Sequence, residues 1–283
     1  MSSDTNDTSR ISISAHYTGY VWYKYNLSAP AFVTGMGRFA NLLLSPINGL
    51  LRTFANADID IFLLQRHAVI DHQVKDLIEN HGVSQILELA SGLSPRGYRL
   101  TKQYPHLNYI EGDLPGMAQR KQAVLKQAGC SDKHNVYPCN ILTEDGEHSI
   151  SALLAKFDAS KPTLIITEGL INYFELPVIR AVWSRMANGL ARFPTGHYVT
   201  DLYPDFAEHP SYKYVKIAQS LVGTLTRGQW PLHYNSDNAI QTGFSEDGFK
   251  QVKVIDPASL YGQVEGLPEA DIQTLVRIIQ ASV

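Results

Sequence analysis

Gln85-Ile86-Leu87-Glu88-Leu89, followed by Ala90-Ser91-Gly92-Leu93-Ser94-Pro95-Arg96-Gly97, decides the fold of this 283-residue chain. The first five residues read as a short strand, with Ile86, Leu87 and Leu89 its apolar side chains. The small residues at 90, 91 and 92 then let the backbone turn and let a ligand approach it closely. Arg96 opens a helix whose first N–H groups have no partner inside the helix. A strand, a small-residue turn and a helix form the unit from which parallel sheets are wound.

The same alternation continues downstream. Leu107 to Glu111 leads into a helix through Ala128, and Asn135-Val136-Tyr137 precedes a helix near Ser149–Phe157. Thr163 to Thr167 precedes a helix from about Leu176 to Ala191, and His197 to Thr200 opens a fifth unit. Phe249 to Ile255 is expected to be a further strand. Pro268 to Ala281 is expected to be a closing amphipathic helix, because Ile272, Leu275, Val276 and Ile279 fall at helical spacing. Upstream, helical patterns at Tyr17–Leu27, Arg38–Leu44 and Ile59–Asn80 are broken at Pro30 and at Ser45-Pro46, with no strand among them. The expected fold is α/β, a mostly parallel Rossmann-type sheet with flanking helices and an N-terminal helical cap. Residues 1–83 read as tail and cap, with the first nine a loose tail, and 84–283 as the sheet domain of a single compact unit.

Composition narrows the function. The chain carries 24 Lys+Arg against 27 Asp+Glu, a net charge of −3, with no basic run to bind nucleic acid. At 44% hydrophobic residues it can bury a large core. No apolar stretch approaches the roughly 18 residues of a membrane helix, and Met1 to Arg10 is polar rather than signal-like. The expectation is a cytoplasmic protein that binds a small molecule, with no nucleic-acid or membrane partner and homodimerisation left open. Cys130 and Cys139 read as free thiols, and no metal site is expected. The chain holds 15 tyrosines, many between Tyr17 and Tyr25 and between Tyr198 and Tyr234.

In an open α/β sheet, ligands bind beyond the carboxyl ends of the strands. There the second strand delivers Glu111-Gly112-Asp113-Leu114-Pro115, and the Asp113 carboxylate can accept both hydrogen bonds from a ribose diol. Capping the helix after Pro115 is the other reading of that acid. With the small-residue turn, Asp113 points to a nucleoside. The turn is not a dinucleotide fingerprint, since Ala90 replaces its first glycine and Pro95 stands at the third. Gly35-Met36-Gly37-Arg38-Phe39-Ala40 matches G-x-G-x-x-A but lacks flanking strands. Gly92 to Gly97 is one residue too long for a hydrolase elbow at Ser94.

Four blocks in register carry a resemblance: Arg66-His67-Ala68-Val69-Ile70-Asp71, Ile86 to Leu100, Tyr109 to Lys121 and Pro162 to Phe174. They are similar to R-T-x-x-I-D, V-x-L-G-x-G-L-D-T-R-x-Y-R-L, E-x-D-x-P with a later Lys, and P-T-x-x-x-x-E-G-x-x-x-Y-L. These are patterns of the leucine carboxyl methyltransferase family, S-adenosylmethionine-dependent O-methyltransferases that include polyketide-modifying enzymes. The resemblance implies a class I methyltransferase-like fold, S-adenosyl-L-methionine as cofactor with S-adenosyl-L-homocysteine as product, and methyl transfer to a hydroxyl or carboxylate of a small molecule. It implies that Arg66 grips the methionine carboxylate and that Glu168 sits by the amino group. Glu88, Ala90 and Gly92 would lie along the methionyl moiety, Asp113 with Leu114 at the ribose, and Asn140-Ile141 at adenine, where the family has Asp-Leu. Ala90, Ser94, His67 and Asn140 depart from the family pattern.

On the acceptor side Tyr17, Tyr20, Tyr173, Asp201 and Tyr203 are the candidate contacts, although the tyrosines of the first helix could equally pack the cap on the sheet. A carboxylate acceptor needs no base; a hydroxyl acceptor benefits from one, and His16, His209 and His233 lie in segments that could reach the cleft. The departures keep open a non-catalytic binding module, and Ser94 a hydrolase.

Overall fold

The computed structural model describes residues 8–55, 58–217, 219, 230–271 and 273–283. Seven strands form one sheet: β1 (Gln85–Leu89), β2 (Asn108–Asp113), β3 (His134–Pro138), β4 (Thr163–Thr167), β5 (Gly196–Leu202), β6 (Gln251–Ile255) and β7 (Arg277–Ser282). Their order is β3-β2-β1-β4-β5-β7-β6. The first five pair in parallel, and β7 runs antiparallel between β5 and β6. The α/β, mostly parallel sheet is as expected.

The chain winds outward from β1 through β2 to β3, then returns to place β4 on the other side of β1. Leu89 stands level with Gly112 of β2 and Thr167 of β4, so the three carboxyl ends finish together at this reversal. A crevice at such a point is where open sheets hold ligands.

Helices cover both faces: α1 (Thr8–Lys24), α2 (Gly35–Ala55), α3 (Ile59–His81), α4 (Arg96–Gln103), α5 (Pro115–Ala128), α6 (Ile150–Leu154), α7 (Leu176–Leu190) and α8 (Asp237–Glu246). Every residue of β1 and β4 is buried, the apolar Ile86, Leu87, Leu89 and Leu164–Ile166 in the core and the polar Gln85, Glu88, Thr163 and Thr167 each hydrogen-bonded. On one face Val69, Ile70 and Val74 of α3 pack on Ile86, Leu164 and Val199. On the other, Trp183 of α7 lies 4.3 Å, centroid to centroid, from Phe244 of α8. Helix α3 thus lies against the sheet itself. It starts where the Asp58 carboxylate accepts the Asp60 and Ile61 N–H groups and stops at Gly82, whose φ of 70° reverses the chain.

Three expectations are corrected. Residues 268–281 do not form a helix; Arg277–Ser282 is strand β7, and Ile272 lies outside the described residues. Leu275, Val276, Arg277, Ile278 and Ile279 are all buried, a two-sided pattern that a strand between two others requires. Leu275, Val276 and Ile279, at helical spacing, fit that run equally well, and pairing with β5 and β6 decides between them. Ser45-Pro46 does not end a helix: α2 runs on to Ala55 with Pro46 inside it, forgoing one backbone hydrogen bond. Thr8 and Ser9, expected in a loose tail, already belong to α1, while residues 1–7 lie outside the described residues.

Candidate functional site

The turn after β1 is held in a left-handed shape. Ala90 has φ 50° and Gly92 φ 52°, and the Ala90 N–H donates to the Gly112 carbonyl at 2.7 Å. Asp113 fixes the other end. Its Oδ2 accepts the Gly92 N–H and its Oδ1 the Leu114 N–H, each at 2.7 Å. Each oxygen keeps a lone pair for a further donor. Burial pushes the Asp113 carboxyl up to about 6 against these two N–H groups.

Beneath the turn, the Lys121 ammonium donates to the Ser94 carbonyl at 2.6 Å and meets Glu111 Oε2 at 2.6 Å. The other Glu111 oxygen is 2.6 Å from His134 Nε2. Burial opposes the Glu111 charge, but Lys121 and His134 outweigh it and hold the carboxyl at about 2. Above the turn lies α1. A Cβ at Gly92 would stand 3.1 Å from the Ala15 methyl, and one at Gly19 would stand 3.0 Å from Leu93 Cβ.

Beside the turn, at the ends of β4 and β5, a buried charge cluster gathers. Arg66 Nε donates to Glu168 Oε1 at 3.0 Å, and Arg66 Nη1 lies 3.6 Å from Asp201 Oδ2. Asp201 Oδ1 accepts the Gly169 N–H at 2.7 Å. Gly169 has φ 66°, and a Cβ there would press on the Arg66 guanidinium at 3.1 Å, so glycine is required on two counts. Glu168 Oε2 also meets Arg96 Nη2 at 2.6 Å. Arg96, fully buried, further donates to Asp71 Oδ1 and Glu88 Oε1, both at 2.7 Å. Burial disfavours the Glu168 charge, yet the Arg96 and Arg66 guanidinium groups, with the His67 hydrogen bond, hold its carboxyl well below the usual range. Burial raises Asp201, partly offset by Arg66. His67 lies 2.9 Å from Glu168 through Nδ1 and 2.6 Å from Arg99 Nη2 through Nε2. A neutral ring donating from Nδ1 and accepting at Nε2 satisfies both, in line with burial lowering its pKa.

The structure thus brings Ala90, Gly92, Asp113 and Leu114 together at one edge, with Arg66, Glu168 and Asp201 grouped at the neighbouring strand ends. Other candidates lie differently. Glu88 is buried, bound by Arg96 and by the Tyr109 hydroxyl at 2.7 Å. Asn140 is exposed and accepts the Leu142 N–H, while Ile141 packs in the core beneath α6 and α7. The Tyr17 hydroxyl donates to Asp60 Oδ1 at 2.7 Å, joining α1 to α3. Tyr20 is half-buried against Tyr23. Tyr173 is half-buried in the 3₁₀ turn Ile171–Tyr173, and Asn172 of that turn bridges the Tyr203 and Pro231 carbonyls. Tyr203 packs on Trp230 at 5.0 Å. Ser94 is 2% exposed, with its Oγ accepting the Arg96 N–H at 3.3 Å and no histidine bonded to it. His16 is bound by Thr34 and Arg120, His209 accepts the Ser211 N–H, and the His233 N–H donates to the Tyr203 carbonyl.

Sequence reasoning missed the hub. Arg96, Asp71 and Arg99 stand inside the quoted blocks, and an Arg-x-x-Arg opening a helix after a buried acid-bearing strand was the signal. Asp71, one turn of α3 beyond Arg66 and His67, takes Arg96 and Arg99. A cavity of about 1030 Å³ lies on the outer side of α3, lined by Leu64, His67, Asp71, Lys75 and Arg99 among others, and its lining includes none of Ala90, Gly92 or Asp113.

The donor set fits S-adenosyl-L-methionine. A guanidinium beside two carboxylates complements an α-amino acid zwitterion, and a carboxylate with free lone pairs complements a ribose diol.

Comparison with known proteins agrees. Residues 51–187 match the leucine carboxyl methyltransferase family. A relative from Mycolicibacterium gilvum, provisionally named an S-adenosyl-L-methionine-dependent methyltransferase, is 38% identical over 94 residues, 32% of this chain and 29% of the relative. The chain therefore spans less than a third of that relative's length in the match. A solved structure from Thermobifida fusca, provisionally named a methyltransferase, superposes with a TM-score of 0.61 at 14% identity, over 94% of this chain and 93% of that one. PigF, solved with SAH, gives 0.54 at 13% identity, over 88% and 72%. Sheet order, motif register and these likenesses converge: the chain resembles the leucine carboxyl methyltransferase family, and its fold is that of S-adenosylmethionine-dependent methyltransferases.

Proposed function

We propose that this protein is an S-adenosylmethionine-dependent methyltransferase that acts on an oxygen, hydroxyl or carboxylate, of a small molecule. The observation that carries the reading is the Asp113 carboxylate clasping the Gly92 N–H next to the Arg66, Glu168 and Asp201 cluster, where the sheet reverses. The cofactor, when bound, supplies an electrophilic sulfonium methyl group. The chain's own part is positioning. Arg66 binds a carboxylate, Glu168 and Asp201 an ammonium, and Asp113 two hydroxyls, which fixes a nucleoside amino acid at both ends. Helix α1 roofs the turn and keeps water from it. Tyr173, Tyr203 and Trp230 beyond β4 and β5 offer ring faces to an acceptor, and holding an oxygen collinear with the breaking bond can lower the barrier by roughly 7–11 kcal/mol at the extreme.

Isothermal titration with S-adenosylhomocysteine, and incubation of the protein with isotope-labelled S-adenosylmethionine and cell extract, test this reading. Saturable binding with label on a small molecule is expected. Absence of binding at millimolar ligand rejects the proposal, and binding without labelled product across a broad acceptor panel favours a non-catalytic module.

A further inference from the structure

The first two helices carry a pattern that methyl transfer does not use. Between residues 8 and 57 the sequence has no Asp or Glu, although the chain holds 27 of them, while Arg10, Lys24, Arg38 and Arg52 all fall there, Lys24 being paired with Asp60 at 2.6 Å. On α2, large apolar side chains stand in solvent: Met36 is 49% exposed, Phe39 56%, Leu42 69% and Leu43 59%. Among the described residues the other exposed large apolar side chains, Leu142, Val178 and Ile217, lie singly on separate segments. Met36, Phe39 and Leu43 share one stripe by helical spacing, with Leu42 beside it. The opposite side of α2 is already used: Ala40 and Leu44 pack toward Tyr17 and Val21, and any side chain at Gly37 would run into the His16 carbonyl.

We propose that α2 docks this protein on an anionic lipid surface. An apolar stripe on an acid-free, arginine-bearing helix is the composition of a helix that lies in a bilayer interface. The exposed Arg38, beside Phe39 on the helix, adds attraction to anionic headgroups. The same features argue against the other occupants. Nucleic acid offers nothing to four exposed apolar side chains, and a second copy would bring two acid-free, arginine-bearing helices face to face. No helix among the described residues is long and apolar enough to cross a membrane, and a helix lying on the surface has no need to. The absence of a membrane partner was expected for want of a spanning stretch, a criterion that does not address surface docking. Behind α2 sits α1, and behind α1 the Ala90–Gly92 turn, so a docked α2 faces the roof of the candidate site toward lipid.

Co-sedimentation of the full chain with vesicles tests the proposal, using phosphatidylcholine mixed with phosphatidylglycerol against phosphatidylcholine alone. The chain is expected to pellet with the mixed vesicles, less so as salt rises. Phe39→Ser combined with Leu42→Ser lowers the partition coefficient by roughly tenfold or more, and Arg38→Glu lowers it by roughly severalfold at low salt. Leu142→Ser, an exposed apolar position elsewhere, leaves it unchanged, and a thermal transition is followed for each variant. No pelleting with the mixed vesicles, or full binding retained by the folded double variant or by Arg38→Glu, overturns the proposal. A lipid-free dimer that the double variant dissociates, with no pelleting, assigns the face to a second copy instead.

Discussion

The Asp113 carboxylate accepts the Gly92 N–H at 2.7 Å, so the acid proposed to hold a ribose is also the clasp of the turn after β1. Removing it loosens the turn and deletes an acceptor together. Hydrogen bonds to a charged group contribute about 1.5–3 kcal/mol, so Asp113→Ala is expected to weaken both adenosine and S-adenosylhomocysteine by at least about tenfold in titration calorimetry.

The same carboxyl sets a pH dependence. Burial lifts it to about 6, and only the ionised form accepts donors at both oxygens. A bound diol stabilises that form, so affinity is full above pH 6 and falls as pH drops through it. Asp113→Asn removes the titration, and a variant whose affinity still falls below pH 6 would exclude this assignment. For stability the sign is opposite. The pKa is raised from 3.8, so ionisation between pH 3.8 and about 6 favours the unfolded chain, and protonation removes that penalty.

Arg66 separates one end of the ligand from the other. Arg66→Lys keeps a charge beside Glu168 and Asp201 but loses the fork proposed to grip the ligand carboxylate. Titration is expected to show S-adenosylhomocysteine weakened by about tenfold, with adenosine, which has no carboxylate, unaffected. Equal losses for both ligands would mean that Arg66 only shapes the site.

Arg96 is a matter of stability. It is fully buried among Asp71, Glu88 and Glu168, so Arg96→Met leaves three carboxylates facing one another. Breaking a buried pair from one side costs about 3–5 kcal/mol, and urea denaturation at neutral pH is expected to show a loss of that order. A loss below about 1 kcal/mol, the range of an exposed pair, would contradict the network.

Ala90 and Gly92 share a left-handed backbone but not the same surroundings. A non-glycine residue there carries about 1–2 kcal/mol of strain, while glycine adds about 0.5–1 kcal/mol of unfolded-state entropy. Ala90→Gly is therefore expected to be neutral or stabilising by up to about 1 kcal/mol in urea melts. Gly92→Ala adds contact with Ala15 at 3.1 Å to the strain and destabilises by about 1 kcal/mol or more.

What was legible in the sequence was local. Gln85 to Gly97 announced its strand, turn and helix because each residue's neighbours enforce its conformation, and Asp113 followed from standing at a strand end. Ala90, a departure from the expected glycine, keeps the glycine-like φ. Partners far apart in the chain were not legible. Arg96 finds Glu168 at a distance of 72 residues, and Tyr17 finds Asp60 at 43; no spacing rule reaches so far. Residues 275–279 suited a helix or a strand until β5 and β6 were known to flank them.

The place of β7 also imposes an order of events. Among the described residues Gln251–Ile255 has no sheet neighbour other than β7, and β7 reaches the sheet through β5. As the chain emerges from a ribosome, β6 has nothing to pair with until residues 277–282 have been made. That edge closes late, through contacts remote in sequence, which slow a fold's completion. Pulse-labelled hydrogen exchange is expected to find the amides of β6 and β7 becoming protected together, after those of β1 and β2.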